Sequence, residues 1–215
     1  TFFNDSLIIL TWRILTALVF DAYDLSFEGV FRYEGEGWGI CFNGDFLVMS
    51  NGTSELSFRD PISFELSHSI SVTWDGKPVT RLNELECVED QIFANVWLQD
   101  VIISIDSTTG KADFFASAEF LSENQGNTAN EVLNGIAFDS SREGYWITGK
   151  NWTEMYLVSF DTILEDGQKD NRDILGDLGI TSTSAIVATF FLFVFIQQKM
   201  PNFKDPPSGD NNGDG

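Results

Sequence analysis

The sequence is poor in the residues that most often carry chemistry. It holds one histidine, His68, which excludes any site needing two imidazoles, two-histidine zinc centres included. A Ser-His-Asp triad would have to use His68, which lies in the polar run Glu65-Leu66-Ser67-His68-Ser69. No Gly-x-Ser-x-Gly occurs anywhere, and His68 reads as a surface residue. Two cysteines, Cys41 and Cys87, exclude a disulfide-dense scaffold and a four-thiolate zinc site. Basic residues are scarce: 12 Lys and Arg stand against 33 Asp and Glu, for a net charge of −21. A chain this acidic repels phosphate backbones at long range, which excludes nucleic acid as a partner.

Apolar and aromatic residues are plentiful. With 43% apolar residues, 20 Phe and 6 Trp in 215 residues, the chain can build one large β-rich domain or two small ones. Four segments repeat one pattern: an apolar strand, a short gap, a second apolar strand ending in Asp, then a turn. They cover residues 7–12 and 18–21, 46–50 and 56–60, 92–97 and 102–106, and 145–148 and 156–161. The closing residues are Asp21, Asp60, Asp106 and Asp161, and Asp60-Pro61 and Ser107-Thr108-Thr109-Gly110 supply turn chemistry. An all-β repeat of about 40–50 residues predicts β-propeller blades. Before the second strands lie polar, turn-like motifs expected to line the central channel: Glu36-Gly37-Trp38-Gly39, Arg81 to Glu86, and Leu133-Asn134-Gly135-Ile136-Ala137. Cys41 and Cys87 fall at equivalent places in neighbouring blades, and that equivalence predicts that they do not readily bridge. The propeller is expected over residues 1–165.

The ends of the chain carry further expectations. Thr1 opens the sequence without Met or a signal-peptide pattern and runs almost directly into a strand, as a chain cut into a domain would. Residues 178–198 contain no charge, and a helix of that length spans roughly 30 Å, the thickness of a bilayer core. An acidic linker over 166–177 precedes it, with Asp166, Asp170, Asp173 and Asp177, and Lys199 and Lys204 follow. This asymmetry predicts a single transmembrane helix with the propeller on the lumenal or extracellular side and a disordered cytosolic tail over 199–215. Asn-x-Ser/Thr sequons at Asn4, Asn51 and Asn151 agree with that placement.

Eight short motifs, in order, resemble the plant/bacterial-type glutaminyl-peptide cyclotransferases. They are Trp38-Gly39; Ser50-Asn51-Gly52-Thr53; Arg59-Asp60-Pro61; Arg81-Leu82-Asn83-Glu84-Leu85-Glu86; Ala94-Asn95-Val96-Trp97; Ile105-Asp106 with Thr109-Gly110; Leu133-Asn134-Gly135-Ile136-Ala137-Phe138-Asp139; and Thr148-Gly149-Lys150-x-Trp152. The resemblance covers about residues 1–161 and implies a five-bladed propeller, of which about four blades are present. It implies conversion of a peptide's N-terminal glutamine to pyroglutamate with release of ammonia, without metal or organic cofactor. Carried over residue by residue, Trp12, Trp38 and Trp97 match the aromatic box, Asn83 the amide-orienting residue and Lys150 the cationic donor. Glu84 and Glu86 are nearby carboxylates, and Asn134 is a further candidate for substrate binding. The family's Phe-Gly-Glu-Gly motif, carrying its catalytic glutamate, would end just ahead of Thr1, and the Phe-x-Gln-Gly motif of the first blade is also absent. The loop after Lys150 reads Trp152-Thr153-Glu154, where the family usually has Trp-Pro-Lys. The expectation is an N-terminally truncated cyclotransferase, an incomplete fragment that by itself neither closes its ring nor catalyses, with a non-catalytic ligand-binding propeller as the alternative.

Overall fold

The computed structural model describes residues 1–123, 125 and 131–160, and the backbone of Thr162–Ile163 and Phe190–Phe191. Among these residues the chain is an all-β propeller of four blades. The first blade contains β1 (Phe2–Phe3), β2 (Ser6–Leu10), β3 (Thr16–Asp21) and β4 (Phe27–Arg32). The second contains β5 (Gly39–Phe42), β6 (Leu47–Ser50), β7 (Glu55–Arg59) and β8 (Leu66–Ser71). A short hairpin, β9 (Thr73–Trp74) and β10 (Lys77–Pro78), leads to the third blade, β11 (Leu82–Val88), β12 (Gln91–Val96), β13 (Val101–Asp106) and β14 (Ala112–Ser117). After a one-turn helix, α1 (Glu119–Glu123), comes the fourth: β15 (Val132–Asp139), β16 (Gly144–Lys150) and β17 (Tyr156–Val158). Every blade is an antiparallel meander. Beyond it, β18 (Thr162–Ile163) pairs with β19 (Phe190–Phe191).

The repeated aspartates make the blades alike. In each of three blades the Asp carbonyl accepts the amide of the residue four positions on: Leu25 to Asp21, Phe64 to Asp60 and Gly110 to Asp106. The Asp Oδ1 accepts two intervening amides, as from Ile62 and Ser63 at Asp60. Leu25, Phe64 and Gly110 all take positive φ, which closes the turn before the outermost strand. Asp161 lies outside the described residues.

Apolar side chains on alternate faces of each middle strand enter different blade interfaces, because a blade is covered on both sides. Leu47 and Met49 pack with Ile8, Ala17 and Phe64 between the first two blades. Val48, Leu56 and Phe58 pack with Leu82, Ile92 and Ile103 between the second and third. Phe93 and Ile102 pack with Leu133, Ile136 and Ile147 between the third and fourth.

The first strands β1, β5, β11 and β15 neighbour one another across the blade boundaries and ring the channel. Two expectations change here. The channel motifs at 81–86 and 133–137 are not turns but the starts of β11 and β15, each interrupted by a register shift, between Leu82 and Leu85 and between Leu133 and Ile136. Cys41 and Cys87 do bridge, with Cα atoms 5.5 Å apart. Equivalent positions lie far apart on outer strands, but on converging first strands β5 and β11 they lie side by side. His68 is exposed, as read from the sequence, and stacks on Phe58 at 4.5 Å.

The expected linker, transmembrane helix at 178–198 and tail lie outside the described residues, save for the backbone of Phe190–Phe191, which forms the strand β19 and not the expected helix. No helix among the described residues is long and apolar enough to cross a membrane.

The disulfide closes a sequence separation of 46 residues, for which chain entropy alone gives about 4 kcal/mol. The double variant Cys41→Ser, Cys87→Ser should therefore lose about 2–4 kcal/mol of unfolding free energy in urea. Reductant should lower the unfolding midpoint of the parent chain and leave that of the double variant unmoved.

Candidate active site

One end of the propeller gathers the turns that follow the second strands and the residues that open the first strands. Trp12 stands in the β2–β3 turn and Trp97 directly after β12. Gly37 and Trp38 immediately precede β5, while Asn83 and Asn134 sit in the irregular starts of β11 and β15. Lys150 ends β16. Together with Val132 these residues line one cavity of about 350 Å³. Six of the eight residues singled out in the sequence, Trp12, Trp38, Asn83, Trp97, Asn134 and Lys150, therefore meet in one place.

Each wall of the cavity is held from behind. The Trp38 ring meets Trp97 edge-on at 5.3 Å and covers Gly52, where a Cβ would come within 2.7 Å of the indole. Gly52 also has a φ of +82°, so both its missing side chain and its backbone freedom are used. Asn95 is fully buried on β12, and its side-chain oxygen accepts the Gly135 amide at 2.9 Å, fixing the strand that carries Asn134. The Asn134 Oδ1 is buried without a hydrogen-bond partner among the described residues. Leaving such an acceptor dry costs about 1–3 kcal/mol, which a ligand N–H would recover. Lys150 is exposed and has no carboxylate within ion-pair distance among the described residues. Its loop is anchored by Trp152, packed over Gly149, and by Gln125, which accepts the Thr153 amide and donates to the Tyr156 hydroxyl. Tyr156 in turn donates to Glu154 at 2.9 Å, so the acidic residue in the unusual Trp152-Thr153-Glu154 segment has a structural partner.

Glu84 and Glu86 lie outside the cavity lining. Both are on β11, facing the amino terminus of Thr1, whose ammonium interacts with them and donates to the Ile8 carbonyl at 3.0 Å. Glu86 accepts the Phe138 amide of the next blade at 3.1 Å. Burial pushes the Glu84 carboxyl up to about 7, opposed by the Thr1 ammonium and helped by Glu86. Burial raises Glu86 too, against the Phe138 hydrogen bond. Sequence reasoning did not assign Glu36 a role. Its Oε2 accepts both the Trp12 and the Trp38 indole N–H, at 2.7 and 2.8 Å. Its place in Glu36-Gly37-Trp38-Gly39, two residues from a candidate tryptophan, was the available signal.

The glutamine cyclotransferase family model matches residues 1–160 of this arrangement. The chain belongs to the glutamine cyclotransferase family. Over 162 residues it is 32% identical to the glutaminyl-peptide cyclotransferase of Arabidopsis thaliana, a match covering 74% of this chain and 51% of that protein. The chain thus spans about half the length of this curated relative. The crystal structure of Myxococcus xanthus glutaminyl cyclase superposes with a TM-score of 0.71 at 33% identity, covering 74% of this chain and 70% of that one. In this cyclotransferase-family chain the aromatic wall comes from segments flanking strands, and the two asparagines and the lysine from three different strands, across all four blades. The cavity consequently depends on three blade interfaces at once.

The raised Glu84 acidity has a consequence for stability. The folded state holds the Glu84 proton up to about 7, whereas the unfolded chain releases it near 4.5. Its stabilising effect is therefore complete below about 4.5 and is lost as pH rises through 7. Glu84→Gln, which stays neutral, should gain about 2–4 kcal/mol on the parent between pH 4.5 and 8. Urea unfolding of both chains at the two pH values measures this; parallel profiles would remove Glu84 as the titrating group.

Proposed function

We propose that the chain binds the N-terminal glutamine of peptides and serves its conversion to pyroglutamate with release of ammonia. The observation that carries this reading is the convergence of Trp12, Trp38, Asn83, Trp97, Asn134 and Lys150 on one cavity. In the reaction the neutral α-amine attacks its own side-chain amide carbon. A ring C–N bond forms, the bond to the amide nitrogen breaks, and the amine proton leaves with ammonia. Lys150 donates to the carbonyl oxygen as it becomes an oxyanion, a role that a cation without a carboxylate partner beside an aromatic wall suits. Asn83 orients the amide, and the Asn134 oxygen accepts a substrate N–H. The three indoles exclude water, which strengthens both interactions.

The proton needs an acceptor, and Glu84, the residue after Asn83, has the proton affinity suited to a base near neutral pH. From outside the lining it would act through a bridging water. One observation favours the second reading, a propeller that binds such peptides without turning them over: none of the residues lining the cavity is a carboxylate. We also propose a single membrane span over 178–198 with the propeller on the lumenal or extracellular side. The uncharged stretch, its flanking charges and the Cys41–Cys87 bridge, which suits an oxidising compartment, support it. Membrane fractionation and glycosidase treatment after expression in a secretory host test that placement; a soluble chain of unchanged mobility counts against it.

The activity is tested by ammonia release from a Gln-initiated peptide, with an Asn-initiated peptide as control, alongside calorimetric binding of both. Lys150→Ala should lower turnover about 10²–10³-fold, and Trp97→Ala should weaken both binding and turnover. Tight, Gln-selective binding without ammonia would decide for the second reading. Equal affinity for the two peptides would end both.

A further inference from the structure

Trp12 is the least supported wall of the cavity. It is 53% exposed, whereas Trp38 is wedged between Gly52 and Trp97. The Arg13 guanidinium lies 3.8 Å above the Trp12 ring, and the Glu36 carboxylate accepts its N–H. A large exposed side chain without close packing samples several rotamers unless something directional selects one. The Glu36 Oε2 supplies that direction, since it accepts from Trp12 and Trp38 together and so ties a turn of the first blade to the entry of the second.

The segment that presents Glu36 is built tightly. Gly35 takes a φ of +78°, and Gly37 is buried against Tyr33, whose hydroxyl oxygen would lie 2.3 Å from a Cβ there. The Tyr33 hydroxyl donates to the carbonyl of Thr11, the residue before Trp12, at 2.5 Å. The loop that carries the acceptor is thus fastened to the turn that carries the donor. The two indole hydrogen bonds, with the Arg13 charge nearby, also hold the Glu36 carboxyl below its usual range, so it remains an acceptor through neutral pH.

The geometry points to Glu36 as a positioning residue that clamps Trp12 against Trp38 and so sets the width of the cavity for a glutaminyl side chain. This rests on the binding reading above for its ligand, but the clamp has a readout without ligand. In the full chain, Glu36→Ala should raise acrylamide quenching of tryptophan fluorescence. The increment should vanish in a Trp12→Phe background, which isolates Trp12 from the other five indoles. Glu36→Gln keeps an oxygen acceptor and should quench like the parent. Unchanged quenching in Glu36→Ala, or an increment that survives in the Trp12→Phe background, overturns the clamp. Glu36→Ala should also weaken calorimetric binding of the Gln-initiated peptide about tenfold, with Glu36→Gln restoring most of it; equal binding by all three overturns the role in ligand selection. If the parent binds no Gln-initiated peptide, the binding reading falls, and quenching alone decides whether the clamp exists.

Discussion

The close approach of first strands across blade boundaries is the constraint on which the rest of the molecule depends. Between the second and third blades it is close at Gly39, where a Cβ would fall 2.1 Å from the Asn83 carbonyl oxygen. The Ser50 hydroxyl fills the junction: it accepts the Gly39 amide at 2.9 Å and donates to that same carbonyl at 2.6 Å. Two residues beyond Gly39 on β5 the Cys41–Cys87 bridge repeats the connection covalently. Trp38 precedes this junction and Asn83 is part of it. The spacing between the Trp38 wall and the Asn83 side chain is therefore set by backbone contact, which varies less than side-chain packing. The next boundary uses the same logic with different atoms, Asn95 reaching the Gly135 amide and Glu86 the Phe138 amide.

This construction explains which parts of the fold were legible in the sequence. The middle strands were found because both of their faces are buried, which turns residues such as Val101-Ile102-Ile103 into unbroken apolar runs. The outermost strands were not, since β8 reads Leu-Ser-His-Ser-Ile-Ser and is almost wholly exposed. The first strands read as turns in the sequence, because channel-facing positions are polar and the register shifts break any period of two. The disulfide was misjudged for a related reason. Repeat arithmetic gives equivalence but not radius, and only at the innermost radius do equivalent positions of successive blades come within bonding distance.

The site was more legible than the strands that carry it. Trp12 and Trp97 end the second strands of their blades, and Asn83 and Asn134 open first strands, so equivalent register positions project at the same end. Glu84 and Glu86 share a motif with Asn83, yet they do not line the cavity. Glu36 escaped notice because its function is relational. A carboxylate at a loop has no distinguishing pattern until two indoles, one from the preceding blade, are seen to share its oxygen.

The charge balance also has a local logic that the net value hides. Asp21, Asp60, Asp106 and Asp139 each accept backbone amides in turns, so part of the excess acidity serves turn hydrogen bonds, and Asp139 also pairs with the Arg142 guanidinium. The four are spent on closing blades, at the turns away from the cavity. That leaves the cavity with a single formal charge in its lining, Lys150, among indoles and amides. Lys150 is exposed, so the solvent screens its charge until a ligand covers the cavity. An N-terminal glutamine brings a neutral amide whose oxygen gains charge only during cyclisation. In the proposed reaction, a cation at this place would act weakly on the bound peptide and more strongly on the ring-closing state.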